Sequence, residues 1–509
     1  MLKLIDNFLN KITMYRLVLY YLIFLFLAAV ILGSLGVLPY GPLALAISAL
    51  VIILTCWITN NIFARVFNAP ANVESMYITA LILVLIITPL SSFKDMSGFS
   101  FLIWASVWAM ASKYIFAISK KHIFNPAAFA VALTSIIINQ SASWWIGNLS
   151  MIPFVIAGGL LVARKIRRFD LVVSFLIAAM LTILGFSLLK ELNFITVAGK
   201  VLFYSNLLFF AFVMLTEPLT TPPTKKLRIF YGSLVGFLFA PQIHIGSVYS
   251  TPELALLVGN LFSYLVSPKG KHILKLREKM RIAPDIYDFS FNADRKFAFQ
   301  PGQYLEWTLG HKHPDNRGNR RYFTIASSPT EKNIRLGVKF YPDSSSFKKS
   351  LTSMGIGSEI VASQLAGDFV LPRNRQQKLV FIAGGIGITP FRSMIKYLMD
   401  RNEKRSIILF YSNKIASDIV YQDVLNESYE KLGINTVYTL TDTELIPDSW
   451  SGQKGYITEQ MIMKEVPDYR ERMFYISGPH SMVVAFEKVL KNIGIAKRYI
   501  KTDFFPGFA

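Results

Sequence analysis

The chain has 509 residues, of which 53% are hydrophobic, and it carries a formal net charge of +21 at neutral pH. This length allows two or three domains, and the apolar content is too high for one soluble globule. Its single cysteine, Cys56, can neither ligate an iron–sulfur cluster nor form a disulfide within the chain. No basic patch interleaved with aromatic residues is present, so nucleic acid is not an expected partner.

The first half of the chain reads as a membrane domain. Residues 1–17 form a basic amphipathic lead rather than a cleavable signal peptide. Ten apolar segments follow, at 18–38, 43–58, 75–91, 99–118, 125–140, 151–163, 171–189, 197–216, 229–244 and 252–267. Because a full span needs about 20 apolar residues, some of these segments are expected to be tilted, broken or half-helices. The sequence predicts a polytopic α-helical membrane domain of about ten spans over 18–267.

Loop charges predict the orientation of this domain. Lysine and arginine are concentrated in alternate loops, for example at 164–168 and 225–228, whereas the opposite loops contain only Lys94, Lys190 and Lys200. The basic loops are expected to be cytoplasmic. With ten spans, both termini then lie in the cytoplasm. The sequence thus predicts a multi-pass protein of the cell (inner) membrane.

Two pairs of short motifs indicate an inverted repeat of five plus five spans. TPLSS at 88–92 matches TEPLTT at 216–221, and FNPAAFAVAL at 124–133 matches STPELALLVGNL at 250–261. In the predicted topology, the members of each pair lie on opposite faces of the membrane. Matching proline-interrupted segments predict a binding site at the repeat interface. Proline is also common at helix starts, which is the alternative interpretation.

Polar residues near these motifs are the candidates for that site. Glu217 lies at the predicted cytoplasmic end of an apolar segment, and intramembrane ionisable residues are functional hypotheses by default. Asn125, Thr216 and Thr220 lie in the same two motifs. The alternative for Glu217 is an interfacial side chain in water or a helix cap.

Haem and metal ions are not expected in this half. Paired histidines on facing helices would be needed for haem. His122 and His244 are predicted at opposite ends of the domain and cannot pair. No metal site is predicted anywhere in the chain.

The strings HIFNPAAFA (122–130) and FVMLTEPLTTPPT (212–224) resemble the membrane proteins RnfD, of the Rnf complex, and NqrB, of the sodium-translocating NADH:quinone reductase. The resemblance implies a transporter-like inverted-repeat fold that holds flavin in the membrane and works beside other subunits. Members of this family usually carry FMN on a threonine in an S-G-A-T-like motif, which this sequence lacks. A non-covalent FMN or riboflavin, or a quinone, near Asn125, Thr216 and Glu217 is expected instead.

The second half begins with strand-like sequence. Residues 272–300 alternate polar and apolar side chains, and the pattern predicts a small antiparallel β-barrel over 272–373. RRYFTIASSP (320–329) follows, and by itself an amphipathic edge strand ending in a turn would give the same pattern. GVKFYPDSSSFKKSL (337–351) predicts a strand, a polar turn and a helix that begins near Ser345 or Ser346.

From 377 to 509 the pattern changes to alternating strands and helices of an α/β domain. KLVFIAGGIGITPFRSMIKYLM (378–399) predicts a strand, a glycine-rich turn and an amphipathic helix. Small residues in such a turn let the backbone approach a dinucleotide pyrophosphate. SIILFYSNK (406–414), RMFYISGPHSMVVAFEKVL (472–490) and the terminal TDFFPGFA (502–509) complete the set of motifs.

Together these motifs resemble ferredoxin–NADP reductase-like proteins over the whole second half, which implies FAD and NADH or NADPH as cofactors. The resemblance places Arg321 on the FAD pyrophosphate, Phe323 against the flavin ring and Thr324 near flavin N5. The further FAD candidates are Tyr322, Val338, Lys339, Ser345, Ser346, Phe347, Phe505 and Phe508. The NAD(P)H candidates are Gly384, Gly385, Gly387, Ile388, Thr389, Pro390, Ser412, Asn413, Gly478, Pro479 and Met482. Ser477 stands where relatives have cysteine, and Thr324, Ser477 and Asp503 are the catalytic candidates.

The sequence therefore predicts a membrane-bound NAD(P)H oxidoreductase. Electrons would pass from cytoplasmic NAD(P)H through FAD to a flavin or quinone in the membrane domain, and across the membrane if an outer acceptor exists. The alternative is a solute or ion transporter whose flavoreductase domain senses redox state. Lys414 favours a 2′-phosphate, but it reads equally well as a solvated loop lysine, so NADH and NADPH stay open.

Overall fold

The structure is a computed structural model that describes residues 5, 8–9, 12–67, 73–90, 92, 94–118, 121–268, 271–312, 314–315 and 318–505, with the side chains at 121, 504 and 505 left out. The chain divides into two compact units, Met1–Gly270 and Lys271–Ala509.

The N-terminal unit is built from helices and two short hairpins. Its helices are Met14–Ser34 (α1), Pro42–Val66 (α2), Val73–Ile86 (α3), Met96–Ile115 (α4), Pro126–Ile137 (α5), Ile152–Ile166 (α6), Phe169–Leu189 (α7), Phe194–Phe203 (α8), Leu207–Phe209 (α9), Lys225–Leu238 (α10) and Pro252–Val266 (α11). A π-helical turn, Phe210–Met214, continues α9. The hairpins are Ala117–Ile118 (β1) with Lys121–His122 (β2), and His244–Ile245 (β3) with Val248–Tyr249 (β4).

The prediction of about ten membrane spans is wrong. Within the described residues, three helices are long and apolar enough to cross a membrane, namely α1, α2 and α7, and α8 with Leu207–Met214 makes a fourth if a 56° bend is allowed. The apolar helices α3, α5 and α11 have 14, 12 and 15 residues. At about 1.5 Å of rise per residue they reach only about 18–22 Å, against a hydrocarbon core of about 30 Å.

The short helix α3 shows why an apolar segment overstates the helix within it. Apolar sequence continues past Ile86, but residues 87–90 lie outside any helix, and Ile87 and Leu90 are buried there. The end of α3 is instead covered by another segment, because the backbone N–H of Trp144 donates to Ile86 O at 2.8 Å and the Trp145 indole donates to Val84 O at 2.9 Å. Carbonyl groups left free at a helix end therefore find partners away from water.

The matched motifs 124–133 and 250–261 start two helices that pack against each other, α5 and α11. Each has a polar N-cap followed by proline, Asn125 for α5 and Thr251 for α11. The backbone N–H of Asn125 donates to Asn260 Oδ1 on α11 at 2.7 Å. The inverted repeat stays a prediction, but its two proposed half-helices are in direct contact.

The C-terminal unit begins with a six-stranded antiparallel sheet. Its strands are His272–Ala283 (β5), Ile286–Ala293 (β6), Tyr304–Thr308 (β7), Arg320–Thr324 (β8), Ile334–Lys339 (β9) and Glu359–Ala366 (β10), in the order β8-β7-β10-β5-β6-β9. One helix, Ser346–Thr352 (α12), packs with them. Their inward side chains, such as Phe289, Phe291 and Trp307, form one core.

A parallel sheet follows, with helices between its strands. The strands are Leu379–Gly384 (β11), Ile407–Asn413 (β12), Asn435–Leu440 (β13), Gln453–Lys454 (β14), Met473–Pro479 (β15) and Ile500–Phe505 (β16), and the helices are Thr389–Asp400 (α13), Gln422–Leu432 (α14), Glu459–Glu465 (α15) and His480–Asn492 (α16). The order is β14-β13-β12-β11-β15-β16. The predicted antiparallel sheet followed by an α/β domain is therefore confirmed.

Candidate functional site

The glycine-rich turn lies at the point where the strand order of the parallel sheet reverses. The chain moves outward from β11 to β14 on one side and then returns to place β15 and β16 on the other. Ligands of open α/β sheets bind at such a switch point, outside the carboxyl ends of the strands. Gly384 is the last residue of β11. Ser477 lies in the neighbouring strand β15, where it pairs in register with Ala383.

A side chain at either of two glycines of this turn would collide with a neighbouring atom. A Cβ at Gly387 would lie 2.3 Å from Ser477 O and 2.7 Å from Gly478 Cα, which are backbone atoms. A Cβ at Gly384 would lie 2.0 Å from Met482 Sδ. Gly385 has φ +53°, the left-handed region that glycine adopts without cost. Close backbone packing at the switch point thus requires glycine at Gly387, and the left-handed backbone favours it at Gly385.

The rest of the predicted NAD(P)H motif serves the fold at this point. Ile388, Thr389 and Pro390 are buried, and Thr389 Oγ1 donates to Ile386 O at 3.2 Å as helix α13 begins. Their side chains therefore shape the turn rather than face an open groove. Pro479 caps α16 on the neighbouring strand.

The three catalytic candidates come together from different strands. Thr324, at the end of β8, is 3% exposed, and its Oγ1 lies 3.5 Å from Asp503 Oδ2. Asp503 pairs in register with Ser477. The Ser477 hydroxyl is fully buried and has no hydrogen-bond partner among the described residues. A buried polar atom without a partner costs about 1–3 kcal/mol, which is the kind of strain found where a ligand or water belongs.

Arg321 lies where α12 begins. The residue is 4% exposed, and its guanidinium carbon lies 5.1 Å from the Phe347 ring centroid. Ser345 is the N-cap of α12, and its hydroxyl accepts from Lys348 N at 3.3 Å. The Ser346 N–H donates to the Asp315 carboxylate at 2.9 Å. Asp315 was missed from the sequence, because nothing in its polar loop marks it as a partner of residues 31 positions away.

The other flavin candidates on the antiparallel sheet have mixed placements. Phe323 is partly buried, with its ring 6.1 Å from Phe347. Tyr322 donates its hydroxyl to Glu306 at 2.7 Å. Val338 lies in the core of the sheet, and the Lys339 ammonium donates to the Asp418 carboxylate at 2.8 Å. Val338 and Lys339 therefore direct their side chains into packing and an ion pair.

The ribose candidates are at the carboxyl end of β12. Asn413 is buried and Ser412 is half-buried there. The adjacent Lys414 ammonium lies 3.5 Å from the Asp442 carboxylate. The side chain of Phe505 and all of Phe508, predicted to cover the flavin, lie outside the described residues.

A second polar cluster lies in the N-terminal unit. Asn125 Nδ2 donates to Glu217 Oε2 at 2.9 Å, and Thr220 Oγ1 donates to the same oxygen at 3.3 Å. His122 Nε2 lies 3.2 Å from Glu217 Oε1. The sequence identified Asn125, Thr220 and Glu217. The structure adds His122, which was excluded as a haem ligand and assigned no other role from the sequence, and Asn260, which was missed.

Asn125, Thr216 and Glu217 line a cavity of about 60 Å³. Most of its other walls are apolar: Met14, Val18, Ile78, Ile82, Pro126, Ala127, Val162, Ile166, Val213, Pro218 and Leu219. Thr216 Oγ1 donates to Phe212 O at 2.7 Å, so its hydroxyl is engaged with the preceding π-helical turn. The cavity is therefore apolar, with a carboxylate and an amide among its polar groups.

Comparison with known proteins agrees with this division of the chain. The family described as Oxidoreductase NAD-binding domain matches residues 381–488, and the family described as NQR2, RnfD, RnfE matches residues 140–269. These matches place an oxidoreductase NAD-binding domain in the C-terminal half of the chain. The chain belongs to the oxidoreductase NAD-binding domain family, with an NQR2, RnfD, RnfE domain in its N-terminal half. Both resemblances inferred from the sequence are confirmed. The match to the NQR2, RnfD, RnfE family, together with the long apolar helices, indicates a membrane protein.

Individual relatives match the C-terminal half. Oxidoreductase NAD-binding domain-containing protein 1 of Homo sapiens is 32% identical over 234 residues, 41% of this chain and 71% of that protein. The glycine betaine monooxygenase reductase subunit of Chromohalobacter salexigens is 27% identical over 240 residues, 46% of this chain and 64% of that protein. The FAD/NAD-binding domain of a Vibrio cholerae nitric oxide dioxygenase is 19% identical with a TM-score of 0.41, covering 46% of this chain and 98% of that one.

Proposed function

We propose that this chain is a membrane-bound NAD(P)H oxidoreductase that passes electrons from cytoplasmic NAD(P)H through FAD to an acceptor held in its N-terminal unit. The observation that supports it best is the meeting of Thr324, from the antiparallel sheet, with Asp503 beside Ser477 at the switch point of the parallel sheet. Bound FAD would supply the conversion of a two-electron donor into single-electron transfers.

The residues fit FAD at its pyrophosphate. The buried Arg321 guanidinium offers a planar donor fork, which suits phosphate oxygens. The carboxylate of Asp315 accepts from the Ser346 N–H beside it. A diphosphate that uses the same N–H must displace Asp315, so this loop would have to move when FAD binds.

The residues also fit a dinucleotide at the glycine-rich turn. Gly387 packs its backbone directly against Ser477 and Gly478 of β15, which holds the turn at the strand ends where a pyrophosphate would bind. The Ser477 hydroxyl and the Asp503 carboxylate lie at the strand ends that the nicotinamide would face. Thr324 would orient the flavin from the opposite side by its hydroxyl.

The acceptor site is proposed at the cavity beside Glu217. Quinone reduction consumes protons as well as electrons, and the His122–Glu217 pair can hold a proton between Nε2 and Oε1. An apolar wall with few polar groups suits a quinone head group or a non-covalent flavin. We place the protein in the cell membrane with cytoplasmic termini, which the charged loops at 164–168 and 225–228 support. Work beside other subunits is part of the proposal.

The test uses the full chain purified in detergent. Flavin is extracted and counted, and the protein is then titrated anaerobically with NADH and with NADPH while the flavin absorbance is followed. Bleaching by either nucleotide, followed by reoxidation with a water-soluble quinone, is expected. A chain that binds FAD but is reduced by neither nucleotide would contradict the proposal.

A transporter with a redox-sensing reductase is the second candidate. The Glu217 carboxylate on the cavity wall favours it, because carboxylates within membrane segments also mark ion pathways. Solute or ion uptake into vesicles that depends on the redox state of the flavin, with no quinone reduction, would support this candidate over the first.

A further inference from the structure

A buried arginine joins the two halves of the C-terminal unit. Arg392 lies on α13, shortly after the glycine-rich turn, and is 4% exposed. Its Nη1 donates to Ala326 O at 2.8 Å and to Glu331 Oε2 at 2.6 Å, while Nη2 donates to Glu331 Oε1 at 2.9 Å. Arg392 and Glu331 thus form a bidentate (two-pronged) salt bridge, which restricts the orientation of both side chains.

The partners of Arg392 belong to the loop that follows β8, the strand that ends in Thr324 and is called the flavin strand below. Ala326 comes two residues after Thr324, and the next carbonyl, Ser327 O, accepts from Ser393 Oγ at 2.6 Å. Glu331 also accepts from the Ser328 N–H at 2.6 Å. The loop 326–331 is therefore fastened to α13 by two consecutive side chains of that helix.

The same helix carries the glycine-rich turn at its start. Thr389 begins α13 directly after the turn, so Arg392 is less than one helical turn away. Thr324 and the turn are thus linked by one short rigid path. A shift of α13 against the loop would change the distance between the proposed flavin and NAD(P)H positions directly.

A second layer holds the arginine in place. Its guanidinium lies 5.5 Å from the ring centroid of Tyr421, a buried residue with φ +59°. The Tyr421 hydroxyl donates to Asp288 Oδ1 at 3.4 Å, and Arg335 bonds to the other oxygen of that carboxylate. Burial raises the pKa of Asp288, while Arg335 and Arg392 act in the opposite direction. A bulky side chain kept in the left-handed region indicates that the surroundings over-determine this geometry.

We propose that Arg392 is a positioning residue that sets the distance between the NAD(P)H-binding turn and the flavin strand. The proposal rests on the proposed function. In the proposed reaction, a hydride would leave C4 of the dihydronicotinamide with both bonding electrons and bond to flavin N5, so the nicotinamide would be oxidised as the flavin is reduced. Reacting atoms must come within about 3–3.5 Å, and an error of about 1 Å costs on the order of 100-fold in rate.

The test compares Arg392→Gln and Arg392→Lys in the full detergent-purified chain. Stopped-flow reduction of the bound FAD by saturating NAD(P)H is expected to slow about 30- to 100-fold in Arg392→Gln. Arg392→Lys keeps the charge but loses the two-pronged pair, so it is expected to fall between. FAD content and the dissociation constant of NAD(P)H should stay within about threefold of wild type. The nicotinamide–flavin charge-transfer absorbance should weaken in step with the rate.

Arg401→Gln is the matched control, because Arg401 follows the same helix and is exposed. Glu331→Gln provides a milder perturbation if Arg392→Gln folds poorly, and the double variant should be no slower than Arg392→Gln, since the two act as one unit. A rate per bound FAD equal to wild type in Arg392→Gln, or in Glu331→Gln if that variant is needed, would overturn the proposal. Wild-type protein that NAD(P)H does not reduce would instead overturn the proposed function, and this proposal with it.

Discussion

Gly387 offers a sharp test of the switch-point site. In Gly387→Ala, the new Cβ meets Ser477 O at 2.3 Å, Ser477 C at 2.6 Å and Gly478 Cα at 2.7 Å. These are backbone atoms of β15, so no side chain can rotate out of the way. Relief to an ordinary contact requires the turn and β15 to separate by about 1 Å.

The expected cost follows from that displacement. Overpacking of a close-packed site costs about 1–3 kcal/mol in the free energy of unfolding. A misplacement of about 1 Å between reacting groups costs on the order of 100-fold in rate. We therefore expect Gly387→Ala to keep its FAD but to lose most of its NAD(P)H-driven flavin reduction.

Gly385→Ala is the control in the same turn. Its Cβ meets nothing within 4 Å, but its φ of +53° makes alanine strained. That strain costs about 1–2 kcal/mol without pushing β15 away. The assay is stopped-flow reduction of bound FAD together with thermal unfolding. Equal reduction rates in the two variants would refute the argument that close backbone approach at Gly387 serves the reaction.

Three further predictions concern other groups. Glu217→Gln should leave NAD(P)H reduction of FAD unchanged but slow reoxidation by quinone at least tenfold; unchanged reoxidation would remove the cavity as the acceptor site. Asp315→Asn should bind FAD about tenfold more tightly in flavin-fluorescence titrations, since a competing carboxylate is gone, whereas the exposed Asp343→Asn should not. The hydrogen bond from Arg472 is the main cause that lowers the pKa of Asp468 from 3.8 to about 2, and the hydrogen bond from Lys378 adds to it. The stability that the ionised Asp468 carboxylate gives the fold is present above pH about 4 and is lost as the pH falls toward 2. The midpoint of thermal unfolding of Asp468→Asn should therefore lie below that of wild type at pH 6 and converge with it near pH 2.

The sequence alone determined the features that depend on neighbouring residues. Alternating side chains specify the strands from His272 onward, and glycines specify the turn at 384–387, because both signals are local. The order of these motifs along the chain was enough to identify the reductase class. The two motifs around Asn125 and Glu217 likewise identified the membrane-domain family, because each is a short continuous string of residues.

Tertiary structure decided what depends on packing between distant segments. The number of long helices could not be counted from apolar runs, since α3 ends at Ile86 while apolar sequence continues. Hydrogen bonds from residues 143–146 satisfy carbonyl groups at its end. The cluster of His122, Asn125 and Glu217 joins residues up to 95 positions apart. Arg392 reads as one basic residue on an amphipathic helix until the fold places Glu331 against it. Long-range pairing of this kind leaves no periodic signal, because the partners are selected by the packing of the elements that carry them.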